Sequence, residues 1–286
     1  MKYLILIAIV AIVCIALGLY VNYGKIKFLI MNYLYFRNKP SVFEHKEKFE
    51  KELLKGNKIE YGNTYPNIIW QTYHTKSKIP NEIFTNIQMY APGYKHFIMD
   101  DQDAISFLET YFTKKVKDTF IRLKLGAHKA DLLRYALLYI YGGIYLDIKT
   151  ELIEPISKSF PNKDQMYVFL NSEHVGWIYQ GIIVSPKGNP FFLSTIEFMT
   201  RNLNPYYYHL YCLDFWHTLR LDIGRIPTYG YNVGKINKYY ICREHSTSNS
   251  EECYDGLDRY GLCGWGVDVR QKWRKFIKIR RSNYPF

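Results

Sequence analysis

The sequence predicts an α/β protein with a mixed, mostly parallel sheet, preceded by an N-terminal transmembrane helix. Between residues 65 and 112, short apolar runs alternate with amphipathic helical patterns, which is typical of a parallel sheet. A glycine pair at residues 142–143 then separates a helical pattern from a strand that ends in a carboxylate. An uncharged apolar run covers residues 3–21, and about 20 such residues span a bilayer as a helix.

The composition is that of a globular chain with a basic bias. Its 286 residues are 48% hydrophobic and 22% charged, which allows one large domain or two small ones and excludes wholesale disorder. The net charge of +12 suits an anionic partner, but the basic residues are spread thinly and form no stripe. We therefore expect no nucleic-acid partner. The sequence also lacks the glycine-rich motifs of dinucleotide-dependent dehydrogenases and P-loop kinases.

The N-terminal segment predicts a single-pass membrane protein, with an anchor at residues 1–24 and a juxtamembrane stem at residues 25–60. A cleaved signal peptide is the alternative, but its apolar region normally covers only about 7–15 residues before a cleavage site of small residues. Several cations follow the apolar run, whereas Lys2 is the one side-chain cation before it. By the positive-inside rule, this distribution predicts a cytoplasmic body.

The first strands and helices of the body follow in order from residue 67. Residues 67–72 form a short apolar run and predict a buried strand. Residues 81–90 carry apolar side chains at helical spacing after a proline, which is favoured at a helix start. Residues 94–99 predict a second strand. Asp101 or Asp103 is then expected to cap a helix that runs to residue 112.

Residues 126–155 contain the densest set of candidate site residues. A helix is predicted at residues 127–141, ended by a glycine in the left-handed conformation. The following strand, at residues 144–148, should place Tyr145, Asp147, Lys149 and Glu151 on one face if it continues. Ligands of open α/β sheets bind at the carboxyl ends of strands. This strand end is therefore the candidate site.

Asp131 and Arg134 lie three residues apart, on one face of the predicted helix. Such a pair is either a structural ion pair on the helix surface or part of a site. Its position shortly before the glycine pair and the acidic strand end favours a role in the site.

The later part of the chain predicts two more strands, at residues 165–171 and 181–185, and a helix at residues 189–199. The order of the elements beyond this helix is not predicted. Three cysteines lie close together between residues 242 and 263: Cys242, Cys253 and Cys263. Their spacing fits no standard zinc site, and they form either a disulfide or reduced structural thiols.

Three blocks of the sequence, at residues 67–72, 91–101 and 130–147, resemble glycosyltransferases of the family 32 type, which contain a sugar-binding region with a DXD motif. The resemblance implies a GT-A domain over residues 61–286. It implies that this domain transfers a hexose from a UDP- or GDP-sugar, with retention at the anomeric carbon, to a glycan, glycolipid or protein acceptor. It also implies a Golgi- or ER-type lumenal body, in contrast to the cytoplasmic body that the flanking cations predict.

The resemblance also implies roles for individual residues. Trp70 matches the residue near the nucleotide base. Asp131 and Arg134 match the pair that holds the donor sugar. Tyr145 and Asp147 match the strand-end contacts to ribose, phosphate and metal.

One position departs from the family pattern, because Asp147-Ile148-Lys149 stands where the family has Asp-x-Asp. In the family, the second Asp helps to hold a Mn²⁺ or Mg²⁺ ion that neutralises the leaving diphosphate. Lys149 is therefore predicted to supply that positive charge and to act in catalysis with Asp147. The first alternative is that Glu151 replaces the missing carboxylate and binds metal with Asp147. The second is an inactive protein that binds nucleotide-sugar or glycan as an adaptor.

Overall fold

A computed structural model describes residues 42–56, 58–170, 178–204, 208–227, 229–247, 266–271 and 274–279, together with residues 30, 33 and 36. The chain divides into two compact units, Met1–Pro40 and Ser41–Phe286, and the second unit contains all the elements below. Within the described ranges, no helix is long and apolar enough to cross a membrane. The predicted anchor at residues 1–24 lies outside those ranges, so it stays a prediction, as do the domain boundaries at residues 24 and 60.

The first half of the body alternates strands and helices. The elements up to residue 152 are α1 (Val42–Leu53), β1 (Ile68–Thr72), α2 (Asn81–Tyr90), β2 (Lys95–Met99), α3 (Asp101–Tyr111), α4 (Lys114–Arg122), α5 (Gly126–Ile140), β3 (Gly143–Leu146) and β4 (Thr150–Leu152). The later elements are α6 (Ile156–Ser159), β5 (Met166–Leu170), β6 (Ile178–Ser185), α7 (Pro190–Arg201), α8 (Leu210–Ile223), β7 (Gly230–Val233), β8 (Lys238–Thr247), β9 (Gly266–Gln271) and β10 (Arg274–Ile279).

These strands form one mixed sheet in the order β2-β1-β3-β6-β5-β8-β9-β10-β4, with β7 beside β8. β1 lies between β2 and β3 and is parallel to both, and β5 is parallel to β8. The other described pairs are antiparallel. The predicted α/β class and mixed sheet are confirmed. Parallel pairing is concentrated in the three strands for which the sequence predicts alternation with helices.

The central helix α5 is buried along most of its length. From Asp131 to Ile140, every residue of α5 is buried, because the helix lies between the sheet and helices α7 and α8. The ring of Tyr135 stacks on Phe192 of α7 and on Phe215 of α8, at centroid distances of 6.2 and 5.7 Å. On the other face of the sheet, Ile69, Ile144 and Leu146 belong to a continuous apolar core. The helix that carries the candidate pair is thus a core element.

The two glycines between α5 and β3 are required by the backbone. Gly142 and Gly143 have φ values of +68° and +107°, which confirms the predicted left-handed glycine. A Cβ on Gly143 would also lie 2.6 Å from the carbonyl oxygen of Ile68. The glycine pair therefore lets the chain leave α5 and enter the sheet directly beside β1.

Two predicted details are wrong. The cap of α3 is Asp100 rather than Asp101 or Asp103, because Asp100 Oδ1 accepts from the Asp103 N–H at 2.9 Å and Asp103 Oδ2 accepts from the Asp100 N–H at 3.0 Å. β3 ends at Leu146, and the Thr150 N–H donates to the Asp147 carbonyl at 2.9 Å, which closes a turn at residues 147–150. Glu151 consequently lies in β4, paired with β10, and not on one strand face with Asp147.

Candidate functional site

A cavity of about 360 Å³ lies at the carboxyl ends of β1, β2 and β3. It is lined by Thr72, Tyr73, His74, Met99, Asp100, Asp101, Phe120, Gly126, Ala127, Lys129, Ala130, Leu133, Arg134, Asp147, Ile148 and Lys149. Ligand pockets in proteins commonly measure about 300–1,000 Å³. The cavity therefore has the size, and the position relative to the strands, that a small-molecule site requires.

Asp147 is the carboxylate at the centre of this site. Its Oδ1 accepts hydrogen bonds from the Arg134 guanidinium at 3.3 Å and from the Tyr145 hydroxyl at 3.1 Å. Its side chain is one-quarter exposed, and it lines the cavity. Thr72 Oγ1 lies 2.9 Å from the Tyr145 hydroxyl oxygen, so Thr72 continues the same network. The carboxylate is thus fixed from the protein side while it faces the cavity.

Arg134 connects the helix to the strand end. Its guanidinium lies 3.1 Å from Asp131 Oδ1, donates to the Gln180 carbonyl at 2.5 Å and stacks on the Tyr145 ring at 4.5 Å. The side chains of Arg134 and Asp131 are only 5% and 10% exposed. The pair is therefore buried, in contrast to the helix-surface ion pair that the sequence leaves open. The Arg134 guanidinium thus pairs with the carboxylates of both Asp131 and Asp147.

Burial changes the acid–base properties of this group. It raises the pKa of the Asp131 carboxyl, and the positive charge of Arg134 opposes that rise. Burial likewise raises the pKa of the Tyr145 hydroxyl, so Tyr145 is a neutral hydrogen-bond donor at physiological pH. Because Asp147 Oδ1 accepts from this hydroxyl, Tyr145 supports the carboxylate from within the protein and does not itself line the cavity.

Trp70 occupies a different place from the one that the family resemblance implies. It is 6% exposed and is not among the cavity-lining residues. Its ring stacks on Phe97 and on Tyr141 at 5.0 and 5.3 Å, and its indole N–H donates to the Gly142 carbonyl at 2.9 Å. These contacts are those of a core aromatic that packs β1 against β2 and α5. They do not support the predicted contact with a nucleotide base.

Lys149 lies in the turn at residues 147–150 and lines the cavity beside Asp147. Glu151 is not among the lining residues. The two other carboxylates in the cavity wall are already engaged, because Asp100 caps α3 and Asp101 lies 2.6 Å from Lys129. Because Lys129 is paired with Asp101, Lys149 is the lysine that the cavity offers to an anionic ligand.

These residues do not fit the divalent metal site that the family pattern implies. Of the two carboxylates in that pattern, Asp147 alone is present, and its Oδ1 is shared with Arg134 and Tyr145. A divalent cation beside Asp147 would also meet the positive charges of Lys149 and Arg134. In the described part of the chain, no group of three His, Cys, Asp or Glu side chains is arranged to hold a metal ion.

Several residues of the site were not predicted from the sequence. Gln71 and Gly181 contact the main chain of Asp147, and Lys129 and His74 line the cavity. One signal was available for Gln71, since it is the polar residue inside the apolar run of β1. The others follow only from the way in which β6 and α5 meet β3. Cys242 carries a free, buried thiol, whereas Cys253 and Cys263 lie outside the described residues.

The comparisons with known proteins agree with this geometry. Residues 77–167 match the family model "Glycosyltransferase sugar-binding region containing DXD motif". This segment includes α5, Asp131, Arg134, Asp147 and Lys149. The match therefore covers the helix, the strand and the turn that form the site.

Two yeast proteins are among the relatives. The chain is 32% identical over 112 residues to the initiation-specific alpha-1,6-mannosyltransferase of Saccharomyces cerevisiae. The match covers 36% of this chain and 23% of that protein. It is 29% identical over 138 residues to the mannosyl phosphorylinositol ceramide synthase SUR1 of the same yeast. This match covers 46% of this chain and 34% of the relative. The chain thus spans about a quarter to a third of the length of these relatives.

Among solved structures, the PaToxG glycosyltransferase is similar with a TM-score of 0.41 and 15% identity, over 70% of this chain and 76% of that one. The sequence matches confirm the predicted family resemblance. Over residues 77–167, the chain is similar to the sugar-binding region of the DXD-motif glycosyltransferases.

Proposed function

We propose that this protein is a membrane-anchored, retaining glycosyltransferase with a GT-A domain. It transfers a hexose from a UDP- or GDP-sugar to a glycan, glycolipid or protein acceptor. One observation carries the proposal: a cavity at the strand ends is lined by Asp147, Lys149 and Arg134, all within the segment that matches the family model. Arg134 in turn pairs with the buried Asp131. The mannosyltransferase relatives support a hexose donor.

Charge decides the roles that we assign to the residues. As the bond between the anomeric carbon and the diphosphate oxygen breaks, negative charge develops on the leaving diphosphate. Lys149 places an ammonium in the cavity wall, and a fixed positive charge at that point lowers the barrier. The carboxylate of Asp147, which lines the cavity, suits hydroxyl groups of the ribose or the donor sugar. Asp131 is buried and does not line the cavity, so its carboxylate acts through Arg134. Arg134, which also lines the cavity, holds the carboxylates of Asp147 and Asp131 in place.

We further propose that Lys149 makes the reaction independent of divalent metal. The support is the lone Asp147 carboxylate of the family motif and the position of Glu151, which lies in β4 beside β10. A metal ion held by Asp147 and Glu151 would require both carboxylates at one point. The turn at residues 147–150 separates them.

The alternative function is that of an inactive descendant that binds nucleotide-sugar or glycan as an adaptor. Lys149 is the observation that favours it, because this residue replaces an acid of the family's motif. An adaptor and an enzyme both bind the donor, but only the enzyme cleaves it. Hydrolysis of the donor in the absence of acceptor therefore separates the two functions.

The test of the proposal has two parts. The full-length protein is first heated with UDP, GDP, UDP-glucose or GDP-mannose, because a ligand at 100 times its Kd stabilises the native state by about 2.7 kcal/mol. Release of UDP or GDP from the sugar nucleotides is then measured with and without EDTA. Stabilisation with release supports the enzyme, and stabilisation without release supports the adaptor. If none of the four compounds stabilises the protein or is hydrolysed, the proposal is wrong.

Membrane attachment is proposed through residues 1–24. The flanking cations favour a cytoplasmic body, whereas the family resemblance favours a lumenal one. Protease digestion of intact and of detergent-opened membrane vesicles separates these orientations, because a lumenal body is cleaved only after the vesicle is opened. A protein recovered entirely in the soluble fraction would contradict the anchor.

A further inference from the structure

The turn at residues 147–150 carries two charged residues of the cavity, Asp147 and Lys149, and the main chain of Asp147 is held on both sides. The Asp147 N–H donates to the Gly181 carbonyl of β6 at 2.7 Å. The Asp147 carbonyl accepts from the Thr150 N–H at 2.9 Å and from Gln71 Nε2 of β1 at 3.3 Å. Residues from the two strands that flank β3 thus fix the main chain of this turn.

Gln71 links the turn to β2 as well. Its side chain is fully buried, and its Oε1 lies 2.8 Å from His96 Nε2. Because Gln71 Nε2 donates to Asp147, Oε1 is the acceptor and His96 donates from Nε2. A methionine would fill a similar volume in β1, and Asp147 would keep its bond from Thr150. The main contribution of the Gln71 amide is therefore the hydrogen-bonded link between β2 and the turn, and not the volume that it fills.

Gly181 leaves space for the Asp147 carboxylate. A Cβ on Gly181 would lie 2.7 Å from Asp147 Oδ2 and would also overlap the Tyr179 hydroxyl group. The obstructing atoms are the hydroxyl oxygen and Cζ of Tyr179 and Oδ2 of Asp147, so an added methyl group has to displace both side chains. The groups that move include the carboxylate that faces the cavity. The φ angle of Gly181 is not in the left-handed region, so space rather than backbone conformation explains the glycine.

We propose that Gln71 and Gly181 are positioning residues for sugar transfer, a role that rests on the proposed function. Gln71 fixes the main chain of Asp147 from β1, and Gly181 fixes the place of its carboxylate from β6. Lys149 follows two residues later in the same turn, so its ammonium moves with that main chain. A shift of about 1 Å in a catalytic constellation can lower the rate about a hundredfold.

The test compares Gln71→Met and Gly181→Ala with two matched controls in the full-length protein. Gln165→Met removes another buried amide, which does not line the cavity. Gly62→Ala adds a methyl group 3.1 Å from the flexible side chain of Lys187. For each variant, kcat and KM are measured for hydrolysis of UDP-glucose and GDP-mannose, together with the melting temperature. Hydrogen exchange of the amides at residues 147–150 is measured on Gln71→Met and Gln165→Met.

We expect both test variants to lose about a hundredfold in kcat. In Gln71→Met we also expect a melting temperature within the range of the controls and faster exchange at residues 147–150. A kcat and an exchange rate equal to those of the controls would overturn the proposal. If the wild type hydrolyses neither donor, the proposed function fails, and the exchange rates alone then decide. Faster exchange in Gln71→Met than in Gln165→Met supports its hold on the turn, and equal exchange refutes it.

Discussion

At the scale of single residues, Arg134 decides how the site is held together. Its guanidinium is buried between the carboxylates of Asp131 and Asp147 and above the ring of Tyr145. The spacing of Asp131 and Arg134 was visible in the sequence. The burial was not, because it depends on the packing of this helix face against β3 and β6, where Arg134 meets Tyr145 and the Gln180 carbonyl. A pair that resembles a surface ion pair in sequence is therefore part of the core.

Replacement of Arg134 by alanine is expected to affect stability as well as activity. Removal of one partner of a buried ion pair leaves an uncompensated charge and typically costs about 3–5 kcal/mol. We expect Arg134→Ala to lower the free energy of unfolding by about that amount and to abolish transfer, as measured by urea denaturation and donor hydrolysis. The control is Lys114→Ala, whose ion pair with Asp118 is exposed and should contribute less than about 1 kcal/mol. Equal stabilities of the two variants would contradict the buried pair.

His96 makes stability depend on pH. Burial lowers the pKa of its imidazole below the ordinary value of 6.5. The unfolded chain therefore binds this proton more readily, so the stabilising contribution is present above pH 6.5 and is lost as the pH falls towards the lowered pKa. In His96→Gln, which retains a donor for Gln71, the free energy of unfolding should fall less between pH 7 and pH 5 than in the wild type. Identical losses in urea denaturation at the two pH values would refute this assignment.

At the scale of elements, the sequence predicted helices and strands well where nearby prolines, glycines and the spacing of apolar residues set their bounds. The helix at residues 81–90 has the predicted bounds, and the helix and strand on either side of the glycine pair lie within two residues of them. The sequence left open whether the strand after the glycine pair continues to Glu151, and it does not, because residues 147–150 form a turn. Asp147, at the first position of that turn, is of a residue type that is common in turns. Gln71 and Gly181 hold that turn, and both are distant in sequence.

The junction between α5 and β3 gives a prediction on stability. In Gly143→Ala, the left-handed φ of +107° costs about 1–2 kcal/mol, and the new methyl group would overlap the Ile68 carbonyl, which the sheet holds in place. We expect the free energy of unfolding to fall by more than about 2 kcal/mol in urea denaturation. Gly126→Ala is the matched control, because its Cβ would meet no atom within 4 Å. A loss no greater than that of the control would contradict the described junction.

The turn after β3 gives the prediction on metal. We expect the wild type to hydrolyse its donor equally well with and without EDTA, because Lys149 supplies the positive charge. Lys149→Ala should lose about a hundredfold in kcat, as for removal of a group that stabilises developing charge. Lys149→Asp restores the Asp-x-Asp pattern and should be active only with Mn²⁺. The control is the exposed Lys115→Ala.

The opposite result is easily recognised. Loss of wild-type activity in EDTA and its recovery with Mn²⁺ would show that a metal ion is needed. Glu151→Gln would then test whether Glu151 supplies the missing ligand after a rearrangement of the turn. Full activity of Lys149→Ala would exclude Lys149 from the reaction.

At the scale of the whole molecule, the pairing of strands that are distant in sequence could not be predicted from local sequence patterns. Its first three strands are parallel because each follows a helix, and that alternation is local. From residue 150 onwards, the pairing of β5 with β8 and of β4 with β10 joins segments that are distant in sequence. Asp222 of α8, for example, accepts hydrogen bonds from the N–H of Ile236 at 2.9 Å and from the Tyr239 hydroxyl at 2.5 Å, which tie β8 to that helix. No spacing rule predicts this buried network.

The arrangement of the sheet also explains why the position of the site could be predicted from the sequence. Ligands bind where parallel strands end, and the three parallel strands β1, β2 and β3 end together at the cavity. Asp147 and Lys149 follow one of those ends, so their place could be inferred from the strand pattern. Trp70 lies two residues before the end of β1, and its contacts with Phe97 and Tyr141 place it in the core.

The most direct test of the central claim, a sugar-nucleotide site at Asp147, is the release of UDP or GDP from UDP-glucose and GDP-mannose by the full-length protein. The assay contains Mn²⁺, so that it does not depend on the question of metal. Asp147→Asn is nearly isosteric and keeps an acceptor for Arg134 and Tyr145, so its melting temperature should match that of the wild type. We predict release by the wild type and none above background by Asp147→Asn. Equal release by both proteins would contradict the account.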